Sequence, residues 1–356
     1  MLYKPDWEEA KARLITWWRG ESVRRVAFGV MSPREKPWPV PPPPEEPADL
    51  PTRWLDPEYR FRRAEAHLAA TYFGGVCFPY YDTHIGPGSL ALYLGCEPGF
   101  APDTVWYMPC APEPEAEVDF RFDPDNRYWR AQLALIETGL ARADGRFLVG
   151  LPDLIENLDI LASVRGSAQL LLDLVDRPEA VHRWQRQLLP LWFRYYEAMY
   201  DRVRDETGGS CFSAFLVWAP GRMAKLQCDF SAMISPDMFA EFALPYLDEQ
   251  TRRLDFTLYH LDGPEAIGHL PLLCRLERLN VIQWTPGAGQ PGVGSERWYG
   301  LYETARAAGK LLLLIGIAPA EIAPLLRRFG RDGLLLVSWV GSESEARALE
   351  AEVDRL

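Results

Sequence analysis

FTLYHLDG, residues 256–263, is apolar along most of its length and then sets His260 and Asp262 two positions apart, just before a glycine and a proline. Side chains on a strand alternate with period two, so the two polar residues share a side at the strand's C-terminal end. A run that is apolar almost throughout reads as a strand buried on both faces, the mark of a parallel sheet covered by helices. Similar runs are RFLVGLPD (146–153), CFSAFLVW (211–218), NVIQWTPG (280–287), LLLLIGIA (311–318) and GLLLVSWV (333–340). Between them lie segments such as SPDMFAEFALPYLDEQTRRL (235–254) and APAEIAPLLRRFG (318–330), with a cap residue or proline at the start and basic residues or glycine at the end, as helices prefer. The pattern is βα repetition.

Two earlier runs, RVAFGVM (25–31) and GVCFPYYD (75–82), bring the strand count to roughly eight, the number that closes a TIM barrel. The expectation is therefore α/β, a single (β/α)8 barrel domain over residues 1–356 with an N-terminal extension, rather than an open doubly wound sheet. PWPVPPPPEEPADLP (37–51) is too proline-rich for a helix or an interior strand and is expected to cross the surface extended. Residues 83–126, rich in Gly and Pro, are expected to be a long insertion over one barrel end, a lid. The helical stretch 155–206, broken near DRPEA (176–180), suggests two helices after one strand.

Composition narrows the function. A chain of 356 residues, 48% hydrophobic, can bury a large core. Its net charge of −12 comes with Lys and Arg scattered rather than clustered, which offers no footprint for nucleic acid. The most apolar run, LLLLIGIAPA (311–320), is far shorter than the ~20 residues that cross a bilayer, and Met1 is followed by LYKPDWEEAKAR rather than an apolar leader, so a cytoplasmic location without membrane attachment is expected. Cysteines 77, 96, 110, 211, 228 and 274 show no paired spacing and read as reduced, mostly buried thiols. A homo-oligomer is compatible with all of this.

In a barrel the chemistry lies at the C-terminal strand ends. Here those ends carry Tyr80, Tyr81 and Asp82; Asp153; Trp218; His260 and Asp262; Gln283 and Trp284; and Ser338 and Trp339. Any one has a structural explanation, a helix cap for Asp153 or a plug for a tryptophan. Together they describe a small-molecule pocket better than a packed end. His260, Asp262 and Asp153 are the candidate catalytic groups, with Tyr80, Tyr81, Asp82, Trp218, Cys228, Asp229, Gln283, Trp284 and Trp339 as candidate substrate contacts. The His260–Asp262 pair could bind a metal, form a proton-transfer unit in which Asp262 fixes the imidazole tautomer, or hydrogen-bond a substrate. Cys228 and Asp229 in KLQCDF (225–230) are a second candidate pair, and a thiolate with an imidazole would suit zinc. GVMSPREK lacks the spacing of a phosphate loop, no G-x-S-x-G is present, and GAGQPGVG (287–294) reads as a flexible loop over the mouth.

These residues resemble the uroporphyrinogen decarboxylase superfamily, which includes the methylcobamide:coenzyme M methyltransferases and methyltransferases serving corrinoid proteins. The likeness rests on ENLDILASVRGSAQLLLDLVDRPEAV (156–181), CDFSAMISPDMFAEFALPYLDEQTRRL (228–254), YHLDGPEAIGHL (259–270) and the terminal LLLVSWVGSESEARALEAEV. It implies a (β/α) barrel. The haem-pathway decarboxylases carry M-R-Q-A-G-R after the first strand to bind carboxylates; VMSPREKPW offers only Arg34 and Lys36. The methyltransferases hold zinc on H-x-C plus a late cysteine, where the metal makes a thiol nucleophilic. Here H-x-C is His260-Leu261-Asp262, and the late cysteine falls among Ser338 to Gly341. Either zinc sits on His260, Asp262 and Cys228, or the pair works without metal; the loss of two thiolates tilts the expectation toward the latter. Aromatic residues at the mouth favour methyl or one-carbon transfer on a small molecule, with a corrinoid protein as an implied partner. A carboxy-lyase and a non-catalytic ligand-binding barrel are the alternatives.

Overall fold

In the computed structural model, which describes residues 1–356, the alternation becomes a mixed α/β architecture with thirteen strands and fourteen α-helices. In chain order the strands are β1 (Ala27–Pro33), β2 (Thr71–Gly75), β3 (Tyr80–Tyr81), β4 (Glu97–Phe100), β5 (Val105–Met108), β6 (Leu148–Val149), β7 (Ser210–Phe212), β8 (Val217–Ala219), β9 (Met223–Gln227), β10 (Phe256–Asp262), β11 (Val281–Thr285), β12 (Leu311–Ile315) and β13 (Leu334–Trp339). Seven form one sheet in the order β2-β1-β13-β12-β11-β10-β9, parallel at every step except β1 with β2. Leu312, Leu313 and Leu314 of β12 and Leu334 to Val337 of β13 are fully buried, as strands covered on both faces must be. Each such side chain contributes about 1.5–3 kcal/mol by leaving water.

The helices follow from local chemistry. Helix Pro319–Phe329 starts with proline at its first position, Glu321 reaches back to accept from Ala318 N at 3.2 Å, and Arg327 and Arg328 sit in the last turn against its negative end. Ser235 caps helix Pro236–Phe242 by accepting from Met238 N at 3.2 Å. The region 155–206 forms three helices, Asn157–Arg165, Ser167–Asp176 and Pro178–Val203, not two. The break at Arg177 was legible from DRPEA. The second falls at Gly166, whose φ of 83° leaves the helical region at little cost only for glycine.

No continuous ladder closes the sheet into the eight-stranded ring expected from the repeat. β3 pairs in parallel with β6, and one bridge joins Leu151 to Phe212 of β7. Pro79 and Pro152 lie beside β3 and β6 and cannot donate to a neighbour, and each strand is two residues long. The edge of β1 is taken by β2, which runs antiparallel to it; Gly75, at φ 58° and packed against Phe28 O, lets the chain reverse into residues 76–82. CFSAFLVW does not form one strand: β7 and β8 are an antiparallel hairpin around a 3-10 turn at Ser213–Phe215.

Residues 37–47 hold neither helix nor strand, and Trp38 N donates to Ala69 O at 2.9 Å. Within 83–126 a short helix, Leu90–Tyr93, precedes the antiparallel hairpin β4–β5. This segment lies on helix Asn157–Arg165: Ala111 N donates to Val164 O at 3.0 Å, and the buried Arg165 donates to Ala111 O and Glu113 O while pairing with Asp173 at 2.7 Å. Asp153 O accepts from Ser89 N at 2.9 Å, tying the same segment to the end of β6. No helix is long and apolar enough to cross a membrane.

Candidate functional site

Strand register sets the site. Gln227, His260 and Gln283 are aligned across β9, β10 and β11, and Asp262 is aligned with Thr285. With side chains alternating along each strand, Lys225, Gln227, His260, Asp262, Gln283 and Thr285 share one face. On β11, Gln283 Nε2 donates to Trp284 O at 2.9 Å and to Thr285 Oγ1 at 3.0 Å, which leaves its Oε1 to His260 Nδ1 in a short contact. An amide oxygen can only accept, so Nδ1 carries the hydrogen and Nε2 presents a lone pair. That lone pair faces Asp262, whose Oδ2 is 3.9 Å from Nε2. Asp229, in the 3-10 turn that ends β9, completes a trio whose ligand atoms all lie within 4.8 Å of one another.

Behind the trio is a buried polar layer supplied by the start of helix Asn157–Arg165. Asp159 accepts from Gln227 Nε2, Asp229 N and Phe230 N, each at 2.9 Å, and Glu156 accepts from Gln227 N at 2.6 Å. Lys225 pairs with Asp153 at 2.8 Å and reaches Gln227 Oε1. Burial and the Asp229 charge push Asp159 up to about 6 despite its three donors, and burial raises Glu156 well above the carboxylate range. Asp229 is raised by desolvation and by the nearby Asp262 and Asp153, although its outer edge remains in water. His260 moves the other way: burial, then the Lys225 charge, lower its affinity for a proton and favour neutral imidazole.

The donor set fits a divalent cation. One imidazole nitrogen and two carboxylates suit zinc or a harder ion such as manganese, and the hydrogen bond on the far ring nitrogen is the outer partner that metal-bound histidines usually have. Bonds of about 2.1 Å in tetrahedral arrangement need donors roughly 3.4 Å apart, so the trio must draw inward slightly. The exposed Asp262 can do this by a side-chain rotation.

The other predicted residues divide by strand face. Asp153 and Gln283 join the His260 cluster, and Trp339 and Met31 are paired in register on the face that carries Gln283, with Trp339 half exposed. Trp284 does not share that face: one residue out of phase, it is buried against Trp298 with ring centroids 5.0 Å apart. Tyr81 is likewise turned away, packed on Phe61, while Tyr80, whose ring meets Phe78, neighbours Asp82. Trp218 sits under the N-terminal helix Trp7–Trp18, with its ring against Trp7, its Nε1 donating to Asp205 and its carbonyl accepting from Trp18 Nε1, because β8 is the return strand of a hairpin. Cys228 is buried outside the trio, and burial raises its thiol far above the ordinary value, so Asp229 replaces it as the third candidate ligand. Ser338 is buried on the face opposite Trp339 and donates to Ile317 O in the connection that follows β12. Nor does Asp262 fix the imidazole tautomer; Gln283 does.

Asp82 belongs to a second constellation. Its Oδ1 accepts from Ser213 Oγ at 2.9 Å, its Oδ2 lies 2.5 Å from His84 Nδ1, and Arg60 donates to the carbonyls of Asp82 and His84, both at 3.1 Å. Burial opposes ionisation here, but His84, Arg60 and Ser213 together hold the Asp82 carboxyl well below its usual range. A cavity beside it is lined by Arg53, Arg60, Arg63 and His67. Sequence reading missed Lys225, Gln227, Glu156, Asp159, His84 and Arg60. Alternation along KLQCDF, counted back in twos from Asp229, would have found the first two.

No protein-family model matches the sequence and no curated protein matches it. Among solved structures the fold is similar to that of a methyltransferase from Methanosarcina mazei, with a TM-score of 0.60 at 14% identity over 97% of this chain and 98% of that chain. At this identity the likeness is one of fold, and it runs end to end.

Proposed function

We propose that this chain is a small-molecule methyl-transfer enzyme built on a uroporphyrinogen decarboxylase-like (β/α) barrel, with Asp229, His260 and Asp262 as a divalent-cation site. The observation that carries the reading is the convergence of two carboxylates on the one imidazole nitrogen whose lone pair is free. Support comes also from the end-to-end likeness to a methyltransferase fold and from the sequence stretches that resemble the superfamily. A cation bound there would supply a Lewis acid that favours a substrate thiolate or alkoxide near neutral pH. Gln283 holds His260 in the accepting tautomer, Lys225 offsets the carboxylates beneath it, and the half-exposed Trp339 offers an apolar surface at the same face. Corrinoid linkage belongs to the same proposal: the methyl group would come from, or go to, a corrinoid carried by a partner protein.

Dialysed wild-type protein is expected to bind zinc or manganese with one-to-one stoichiometry in titration calorimetry, and to accelerate loss of methylcobalamin absorbance with at least one member of a small-thiol panel. Absence of any bound cation at equivalence would remove the site, and metal binding without turnover on any thiol would remove the methyl-transfer reading alone. The carboxy-lyase reading has one specific observation in its favour, the arginines around Asp82 and His84, which could receive a carboxylated substrate. Carbon dioxide release from a polycarboxylate, abolished by Arg60→Ala, would promote it.

A further inference from the structure

The β4–β5 hairpin places two cysteines together that the sequence leaves unrelated. Glu97 is paired with Met108 at the open end of this antiparallel ladder, so Cys96, one residue beyond it, and Cys110, two residues beyond it on the other strand, come together. Their sulfurs are 3.7 Å apart, with Cys96 Sγ as donor toward Cys110 Sγ. Cys96 is fully buried, 3.5 Å from Ser163 O, whereas Cys110 is exposed. A disulfide needs about 2.05 Å, so the two sulfurs would have to close by about 1.7 Å.

We propose that Cys96 and Cys110 form a reversible redox pair, in which exposed Cys110 reacts with a small disulfide such as oxidised glutathione and buried Cys96 resolves it. In the first step the Cys110 thiolate attacks one glutathione sulfur, forms a mixed disulfide and expels a glutathione thiolate. In the second, Cys96 attacks Cys110 Sγ, forming the Cys96–Cys110 bond and expelling the second glutathione, whose sulfur takes the proton that Cys96 releases. The protein dithiol is oxidised and one oxidised glutathione is reduced to two thiols.

The surroundings support the assignment of roles. The hydrogen bond from Cys96, set against partial burial, brings the Cys110 thiol down to about 7, and the same contact with burial pushes Cys96 up. Low proton affinity, exposure and an adjacent resolving thiol are what redox-responsive cysteines have in common. By contrast, burial raises Cys77, Cys211 and Cys228, which have no such partner. The consequence is local: Ala111, the residue after Cys110, is bound to Val164 and Arg165, so a closed bond would fasten the hairpin to the helix that begins at Glu156 and Asp159. The inference does not rest on the proposed function, and thiol chemistry reads it without an activity assay.

Full-length reduced protein, desalted and then incubated with oxidised glutathione, is digested without reduction and mapped by mass spectrometry. The expected result is a cross-linked peptide joining Cys96 to Cys110, loss of two of the six titratable thiols, and reversal by dithiothreitol. Cys96→Ser should stop at glutathione on Cys110, and Cys110→Ser should leave Cys96 unmodified. Wild type that keeps glutathione on Cys110 without the cross-link, or that leaves both cysteines free while other thiols react, overturns the proposal.

Discussion

The molecule contains two aspartate–histidine pairs of the same spacing and opposite order, Asp82-Thr83-His84 and His260-Leu261-Asp262. The first is closed on itself. Asp82 is held by His84, Ser213 and the Arg60 charge, and its carboxyl is driven low. In the second, the imidazole Nδ1 donates its hydrogen bond to Gln283 on the neighbouring strand, which leaves the Nε2 lone pair toward two carboxylates that repel each other. Spacing alone therefore says little about a His–Asp pair. What decides its chemistry is whether the far ring nitrogen is already engaged by a third residue.

The sharpest way to break this contrast is to remove the free nitrogen. His260→Ala should abolish one-to-one zinc or manganese binding in calorimetry, and with the cation any metal-dependent methyl transfer. His84→Ala should leave cation stoichiometry unchanged. Retained stoichiometric metal in His260→Ala would place the site elsewhere.

Gln283→Ala tests the tautomer itself. An outer partner of a metal-bound histidine is typically worth about 10–100-fold in affinity, and a loss of that size is expected with the fold intact by circular dichroism. An unchanged Kd would show that Gln283 only packs against the ring.

Stability should separate the two pairs by sign. Asp82 has a folded value below its unfolded one, so it stabilises the fold above about pH 4 and loses that contribution as pH falls through the depressed value. Asp229 is raised, so the native state holds its proton longer than the unfolded chain does. Its ionisation weakens the fold as pH rises, and the cost vanishes in acid. At pH 7 and without added metal, Asp82→Asn should lower stability by about 1–3 kcal/mol, the usual cost of disturbing a buried hydrogen-bonded group, while Asp229→Asn should raise Tm slightly. Denaturant melts of the two variants at pH 7 and pH 4.5 would show it, and a fall in both at pH 7 would erase the distinction.

The smallest effect is in the pH dependence of cation binding. Because His260 is biased toward the neutral ring and Asp229 is raised, affinity should climb with pH as Asp229 ionises, above the ordinary aspartate value of about 4, and then flatten. A further step near the ordinary imidazole value of about 6.5 would mean that His260 is not desolvated in solution.

The half of the molecule from β10 to β13 was largely legible because its strands are apolar and separated by helices, whereas β2 (Thr71–Gly75) and β9 (Met223–Gln227) were not among the expected strands. His260, Asp262 and Gln283 could be placed on one face by counting in twos; the same count, applied to Trp284, would have turned it away. The other half was not legible in this way. β3, β6 and β7 are cut short by prolines and by a hairpin, so GVCFPYYD and CFSAFLVW looked like full strands and Trp218 looked like a strand end. Asp229 was read beside Cys228 as a pair, but a 3-10 turn begins between them and only the carboxylate faces His260. Glu156 and Asp159 come to the site from a helix far away in sequence, and no local pattern announces that meeting.

β2 has a further bearing on how the chain behaves among its own copies. A sheet left open between β1 and β3 would display a row of unsatisfied backbone groups, a template on which another strand could grow. β2 covers that row by pairing antiparallel with β1, and it is itself wholly buried, with Tyr72 Oη donating to Glu350 of helix Glu343–Val353 at 2.7 Å. The fold thus guards its open seam against strand-to-strand aggregation, and Glu350, at the far end of the chain from most of what it protects, is one of the residues that holds the guard in position.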